Sequence, residues 1–175
     1  MNRLIKFVFG FCLIMIAIPF SHAQENPYAD IPMSRTDDGG FVRGNSDGPV
    51  KMIEFYEFLC PHCQDYQQIA ELFIEEYVKT GQAQFEYRMY PIVDPTRSVI
   101  ASNLVECADT LLEGLFWQAH DIMFEIARTE PFADSSIPGF AEQLGLDEQA
   151  LRDCAVEASQ VVNDTTFGVE LGITG

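Results

Sequence analysis

Cys60 and Cys63 stand three positions apart, separated only by Pro61 and His62. Two sulfurs at that spacing, the second within the first turn of a helix, can close into a disulfide and reopen. A thiolate at a helix N-terminus faces unpaired backbone N–H groups and the positive end of the macrodipole, so Cys60 is expected to be the stabilised, reactive sulfur. Pro61 supplies a fixed φ at the helix start and needs no hydrogen bond there. His62, turned toward the sulfur, would add a donor or a positive charge. Cys63 falls on the apolar stripe of the helix and is expected to be buried and unreactive until called on. In the disulfide form, a substrate thiolate attacking Cys60 expels Cys63, and a second substrate thiol then expels Cys60 as a stable thiolate. Stabilising the reduced form makes the oxidised form a disulfide donor.

The elements that must hold this motif are legible on both sides of it. Residues 50–59 read as a buried strand, rich in aromatic and β-favouring side chains. Cys63, Tyr66, Ala70, Phe73 and Tyr77 then recur at helical spacing, which predicts a helix over about 60–80 closed by Gly81. Residues 84–92, with Phe85, Tyr87, Met89 and Ile92, read as a second strand ended by Pro91 and Pro95. Strand, helix and strand of these lengths make a βαβ crossover with parallel strands. A Cys-x-x-Cys at its strand–helix junction is the setting that a thioredoxin-like redox site requires.

Beyond Pro95 the pattern is helical. Ile100, Leu104, Cys107, Ala108, Leu111 and Leu115 make one stripe, and Phe116, His120, Met123 and Phe124 begin the next. Residues 131–138 break the run, and Asp147 is placed as the N-cap of a helix holding Leu151, Cys154, Ala155 and Ala158. The expected fold class is therefore α/β. A leader spans 1–23 and a weakly patterned lead-in 24–48, with at most a short edge strand at 40–43. The βαβ unit spans 49–94, an inserted all-helical domain 95–160, and a returning helix 161–175.

The leader sets the chemical context. Arg3 and Lys6 precede an apolar run from Phe7 to Phe20, too short to span a bilayer comfortably, and Ser21-His22-Ala23 offers small residues for a signal peptidase. Cleavage is expected before Gln24, with an uncleaved membrane anchor as the alternative. The mature protein is then exported, and four of the five cysteines remain with it. Loss of the two leader cations moves the formal charge from −17 to −19, which argues against nucleic acid and anionic membrane surfaces as partners.

Competing uses of the cysteines can be weighed. A zinc site at Cys60 and Cys63 needs two more ligands; a second Cys-x-x-Cys is absent, and His62 and His120 are the only histidines after the leader. A metal-binding or copper-delivery module using Cys60, Cys63 and His62 is nonetheless the alternative of a different class. His120 reads as a core or groove histidine. Cys107 and Cys154 both lie on apolar helical stripes; they are either a structural disulfide, favoured by the oxidising compartment, or two free cysteines packed as small hydrophobes.

The segment Glu54-Phe55-Tyr56-Glu57-Phe58-Leu59-Cys60-Pro61-His62-Cys63 resembles the active-site segment of the DsbA family of bacterial thiol oxidases, and Phe116-Trp117-Gln118-Ala119-His120-Asp121 is similar to a common stretch of that family. The resemblance covers about 50–175. It implies a thioredoxin fold with a helical insertion, with Cys60 as nucleophile, Cys63 as its partner and His62 as the tuning residue. It also matches Glu54 to a buried acid. By its own position Glu54 shares a strand face with Met52 and Tyr56, where burial would suit it to shuttle a proton to or from Cys63. The other reading is a strand acid near a rim, in contact with water. The resemblance further implies a periplasmic oxidase acting on reduced secreted proteins, reoxidised by a quinone-linked membrane partner, with no cofactor or metal. Isomerase or reductase activity is the nearest alternative. Family members continue past a Gly-Ile-Thr-Gly-like segment into a cis-proline loop, a β-hairpin and a final helix, all of which are expected to be missing from a sequence that stops at Gly175 and keeps two confident strands.

Overall fold

The computed structural model describes residues 30–174. The expected leader and its cleavage point before Gln24 lie outside them. Four strands are present among the described residues: β1 (Met33–Arg35), β2 (Phe41–Arg43), β3 (Val50–Tyr56) and β4 (Ala83–Met89). They form one sheet in the order β1-β2-β4-β3. β1 and β2 are antiparallel, β2 and β4 are antiparallel, and β3 and β4 are parallel with Tyr56 opposite Met89.

Two expectations about the sheet are corrected. Residues 41–43 are not an edge strand but lie inside the sheet, between β1 and β4, and Phe41, Val42 and Arg43 are all buried. β3, read as a buried strand, lies instead at the sheet edge among the described residues, and only its last residue, Tyr56, is fully buried. It also stops at Tyr56, because residues 57–60 turn into the helix: the Cys60 N–H donates to the Glu57 carbonyl at 3.4 Å. The two extra strands escape periodicity because three residues are too few to establish an alternation.

Helix α1 (Pro61–Phe73) follows the turn and runs on as a π-helical segment, Ile74–Val78. Gly81, with φ 77°, ends it. β4 leads into α2 (Arg97–Leu111) and α3 (Phe116–Thr129). A 3₁₀ turn (Asp134–Ser136) precedes α4 (Ile137–Leu144), in which Pro138 sits in the first turn, so the proline read as a breaker starts a helix. In α5 (Glu148–Glu157), Asp147 caps the start by accepting the Ala150 N–H at 2.8 Å, and α6 (Gln160–Glu170) completes the fold.

The alternation of β4 gives the sheet two unlike faces. Phe85 and Tyr87 meet rings from α1 and α3: Phe73, Trp117 and the His120 imidazole. Glu86 and Arg88 point the other way, toward α6. There the buried Arg88 guanidinium donates to Glu86 (2.7 Å), Asp164 (2.9 Å) and Asp38 (2.9 Å) and lies over the Phe167 ring. Lys51 pairs with the other oxygen of Glu86 at 3.0 Å, and the second oxygen of Asp164 accepts the Met89 N–H at 2.8 Å. Gly40 makes room for this cluster, since a Cβ there would lie 2.4 Å from the guanidinium carbon of Arg88. A buried guanidinium is tolerated because its donors are used and its charge is matched.

Candidate redox site

The strand-to-helix turn sets the positions of both sulfurs. Cys60 is the N-cap residue of α1, extended at φ −80° and ψ 118°, and Pro61 occupies the first turn. No side chain caps this helix start, so the amides of the first turn face the space beside the Cys60 sulfur. Gln64 braces the turn, its side-chain amide donating to the Phe58 carbonyl (2.8 Å) and to the Ala127 carbonyl of α3 (3.3 Å). Both cysteines are free thiols and half-buried, while Pro61 and His62 are exposed. Cys63 packs against the core but is half-buried rather than fully buried, at the helix start where the chain enters from the turn. Burial pushes the Cys63 thiol up to about 12, its hydrogen bond to Cys60 adds to the rise, and a backbone hydrogen bond with Glu57 opposes it.

Two carboxylates of this segment live in different chemical worlds. Glu54 lies on β3 opposite Tyr87, on the face that carries Met52 and Tyr56. One of its oxygens is buried with no hydrogen-bond partner, and desolvation raises it to about 7, so near neutral pH it holds its proton half the time. Its charge is felt at Cys63. Glu54 as a whole is half-buried, with its Oε2 covered. Glu57, three residues on, is 1% exposed, and its two oxygens accept the backbone N–H groups of Ile92 (2.8 Å) and Val93 (2.7 Å). Sequence reasoning passed over Glu57 and Gln64. Their partners are backbone atoms, 63 residues away for one of the Gln64 contacts, and no residue type flags them; the one available signal is a carboxylate inside an otherwise apolar run.

His120 belongs to the core. It is 5% exposed, ringed by Tyr56, Phe58, Tyr87, Trp117 and Phe124, and paired through Nδ1 with Asp121 at 2.7 Å. Burial lowers its pKa against the opposing pull of Asp121, and its Nε2 has no hydrogen-bond partner. Cys107 on α2 and Cys154 on α5 form a disulfide with Cα atoms 5.8 Å apart, and Cys107 is completely buried. Among the described residues, no three His, Cys, Asp or Glu side chains converge where they could hold a metal ion. No helix among them is long and apolar enough to cross a membrane.

Comparison with known proteins places this geometry. Residues 36–166 match the model of a family described as thioredoxin. A Na(+)/H(+) antiporter, NhaA 1 of Salinispora arenicola, is 26% identical over 118 residues, which are 66% of this chain and 17% of the antiporter. A probable disulfide bond formation protein D of Bacillus anthracis is 27% identical over 85 residues, 47% of this chain and 38% of that protein. The chain thus spans well under half the length of these curated relatives. Among solved structures, BdbD from Bacillus subtilis in its oxidised form superimposes with a TM-score of 0.66 at 21% identity, covering 77% of this chain and 76% of that one. The thiol-disulfide exchange protein alpha-DsbA2 from Wolbachia pipientis gives 0.63 at 21%, covering 77% and 71%. With a Cys-x-x-Cys opening the first long helix, the chain belongs to the thioredoxin family, and its fold, helical insertion included, is similar to those of the two solved thiol-disulfide proteins.

Proposed function

We propose that this protein is an exported thiol–disulfide oxidoreductase that donates the Cys60–Cys63 disulfide to cysteine pairs of translocated proteins. The observation that carries this reading is the asymmetry of the two sulfurs: Cys60 at an uncapped helix start, Cys63 pushed up to about 12. In the oxidised site a substrate thiolate attacks the Cys60 sulfur. A mixed disulfide forms, the Cys60–Cys63 bond breaks, and Cys63 leaves. A sulfur of such high proton affinity leaves well only as it is protonated, and our reading assigns that proton to Glu54, which is raised to about 7 and whose charge is felt at Cys63. A second substrate thiolate then attacks the substrate sulfur of the mixed disulfide. The substrate disulfide forms, and Cys60 departs as a thiolate facing the helix amides, with His62 at the exposed rim of the same turn. Two electrons have passed to the site. Turnover then needs an acceptor, and the family resemblance supplies one in a quinone-linked membrane reoxidase. The leader residues Arg3 and Lys6 and the apolar run after them support export, to a periplasmic setting where donated disulfides persist.

The test is equilibration of the full chain with glutathione buffers, together with oxidation of a reduced two-cysteine peptide. An oxidase leaves Cys60 and Cys63 reduced even in mildly oxidising buffer and oxidises the peptide. A site that stays oxidised there and leaves the peptide reduced is a reductase or isomerase, and overturns the reading.

A further inference from the structure

We propose that Gln67 on α1 and His120 on α3 bind one ordered water molecule between them, which hydrogen-bonds the redox helix, one turn beyond Cys63, to the helix packed behind it. The site is independent of the direction in which the sulfurs pass electrons.

Gln67 is buried beside Ala70 on the inner face of α1, with 6% of its surface exposed, and His120 borders the same cavity from α3. The cavity measures about 10 Å³ and is bordered also by Arg43 of β2, Tyr87 of β4, Glu71 and Asp121. That is room for a single water and for nothing larger. No protein donor reaches the Gln67 Oε1 or the His120 Nε2, although both atoms are cut off from the surface. Both are acceptors. The His120 Nδ1 lies 2.7 Å from an oxygen of the Asp121 carboxylate, so the ring hydrogen sits on Nδ1 and Nε2 keeps its lone pair. Burial favours that neutral ring. Two acceptors cannot bond each other, whereas a water between them donates one O–H to each. Nor can the ring move to find another donor, since it is packed edge-on against Tyr87 and Phe124 with centroids 4.4 and 4.9 Å away. The water oxygen accepts in its turn, and the Arg43 guanidinium, which carries donors alone, borders the cavity while lying over the Trp117 ring at 3.9 Å. The same guanidinium repels a cation, and the carboxylates of Glu71 and Asp121 repel an anion. A neutral donor of one heavy atom is the ligand that fits. A buried acceptor without a donor is costly, and a bridging water serves nearly as well as a direct bond.

NMR on the full chain, labelled with nitrogen and carbon isotopes, tests this. The wild type is expected to show an unprotonated His120 Nε2 at neutral pH, and cross-peaks from water to the His120 Hε1 and to the Gln67 side-chain amide. Their nuclear and rotating-frame Overhauser effects should have opposite sign, which marks a water held far longer than surface water. Absent cross-peaks, effects of the same sign or a protonated Nε2 overturn the site. Gln67→Leu is expected to abolish the His120 cross-peak, and a peak that survives there overturns the bridge. Tyr87→Phe is expected to keep both cross-peaks; their loss would trace them to exchange through the Tyr87 hydroxyl and overturn the site as well. Should Gln67→Leu not fold, the wild-type cross-peaks and the Tyr87→Phe chain decide.

Discussion

Cys60 and Cys63 are three residues apart, half-buried and free as thiols at the mouth of a helix, whereas Cys107 and Cys154 are 47 residues apart and joined between two packed helices. The first pair is held by local backbone, so opening or closing it needs no change in the packing of distant elements. The second pair is held by the packing of α2 on α5, and its bond closes a long loop of chain. Sequence separation thus divides the labour. A short loop restricts the unfolded chain little and leaves the bond free for chemistry, while a long loop gives a bond its stabilising value.

Cys60→Ser should break the comparison most sharply, taking peptide oxidation to the uncatalysed rate, while Cys107→Ala with Cys154→Ala keeps measurable oxidation. A Cys60→Ser protein that still turned over would abolish the distinction. The double alanine variant should instead lose about 4 kcal/mol of stability in guanidinium unfolding, on the chain-entropy estimate for a loop of this length. A loss below about 1 kcal/mol would mean that packing already does the work of the bond.

A pH series sharpens the contrast further, because Glu54 sits against the redox pair. Its pKa is raised in the fold, from 4.5 to about 7, so the folded state holds this proton more tightly than the unfolded state does. Stability from this group is therefore fullest below pH 4.5, declines as pH rises to 7, and is flat above. The wild type should lose at most about 3 kcal/mol across that window relative to Glu54→Gln. Parallel curves for the two proteins would remove Glu54 from its assigned role. The smallest effect is expected for His62→Ala: a shift of about tenfold in the Cys60–Cys63 equilibrium with glutathione. The Cys107–Cys154 bond, mapped by mass spectrometry in the same samples, should not respond.

The position of Cys60 and Cys63 at the mouth of a helix was legible because they mark the residue at which a strand pattern gives way to a helical one. The strand face of Glu54 was legible through parity, two positions before Tyr56. The edge position of β3 was not, since it depends on the pairing of β2 with β4, and β2 has only three residues. Glu57 was hidden for a different reason. Its neighbours in sequence are apolar and its partners are amides 35 and 36 residues downstream, which any residue but proline could supply.

The ion cluster under β4 also orders events in time. Arg88 bonds Asp38, 50 residues before it, and Asp164, 76 residues after it. A chain emerging N-terminus first presents Asp38 and Arg88 long before Asp164, and until then the guanidinium cannot be buried with all its donors used. The buried ion cluster beneath the sheet is therefore complete only once residue 164 is available, so a chain stopped short of it carries an unmatched guanidinium under the strands that hold the sulfurs.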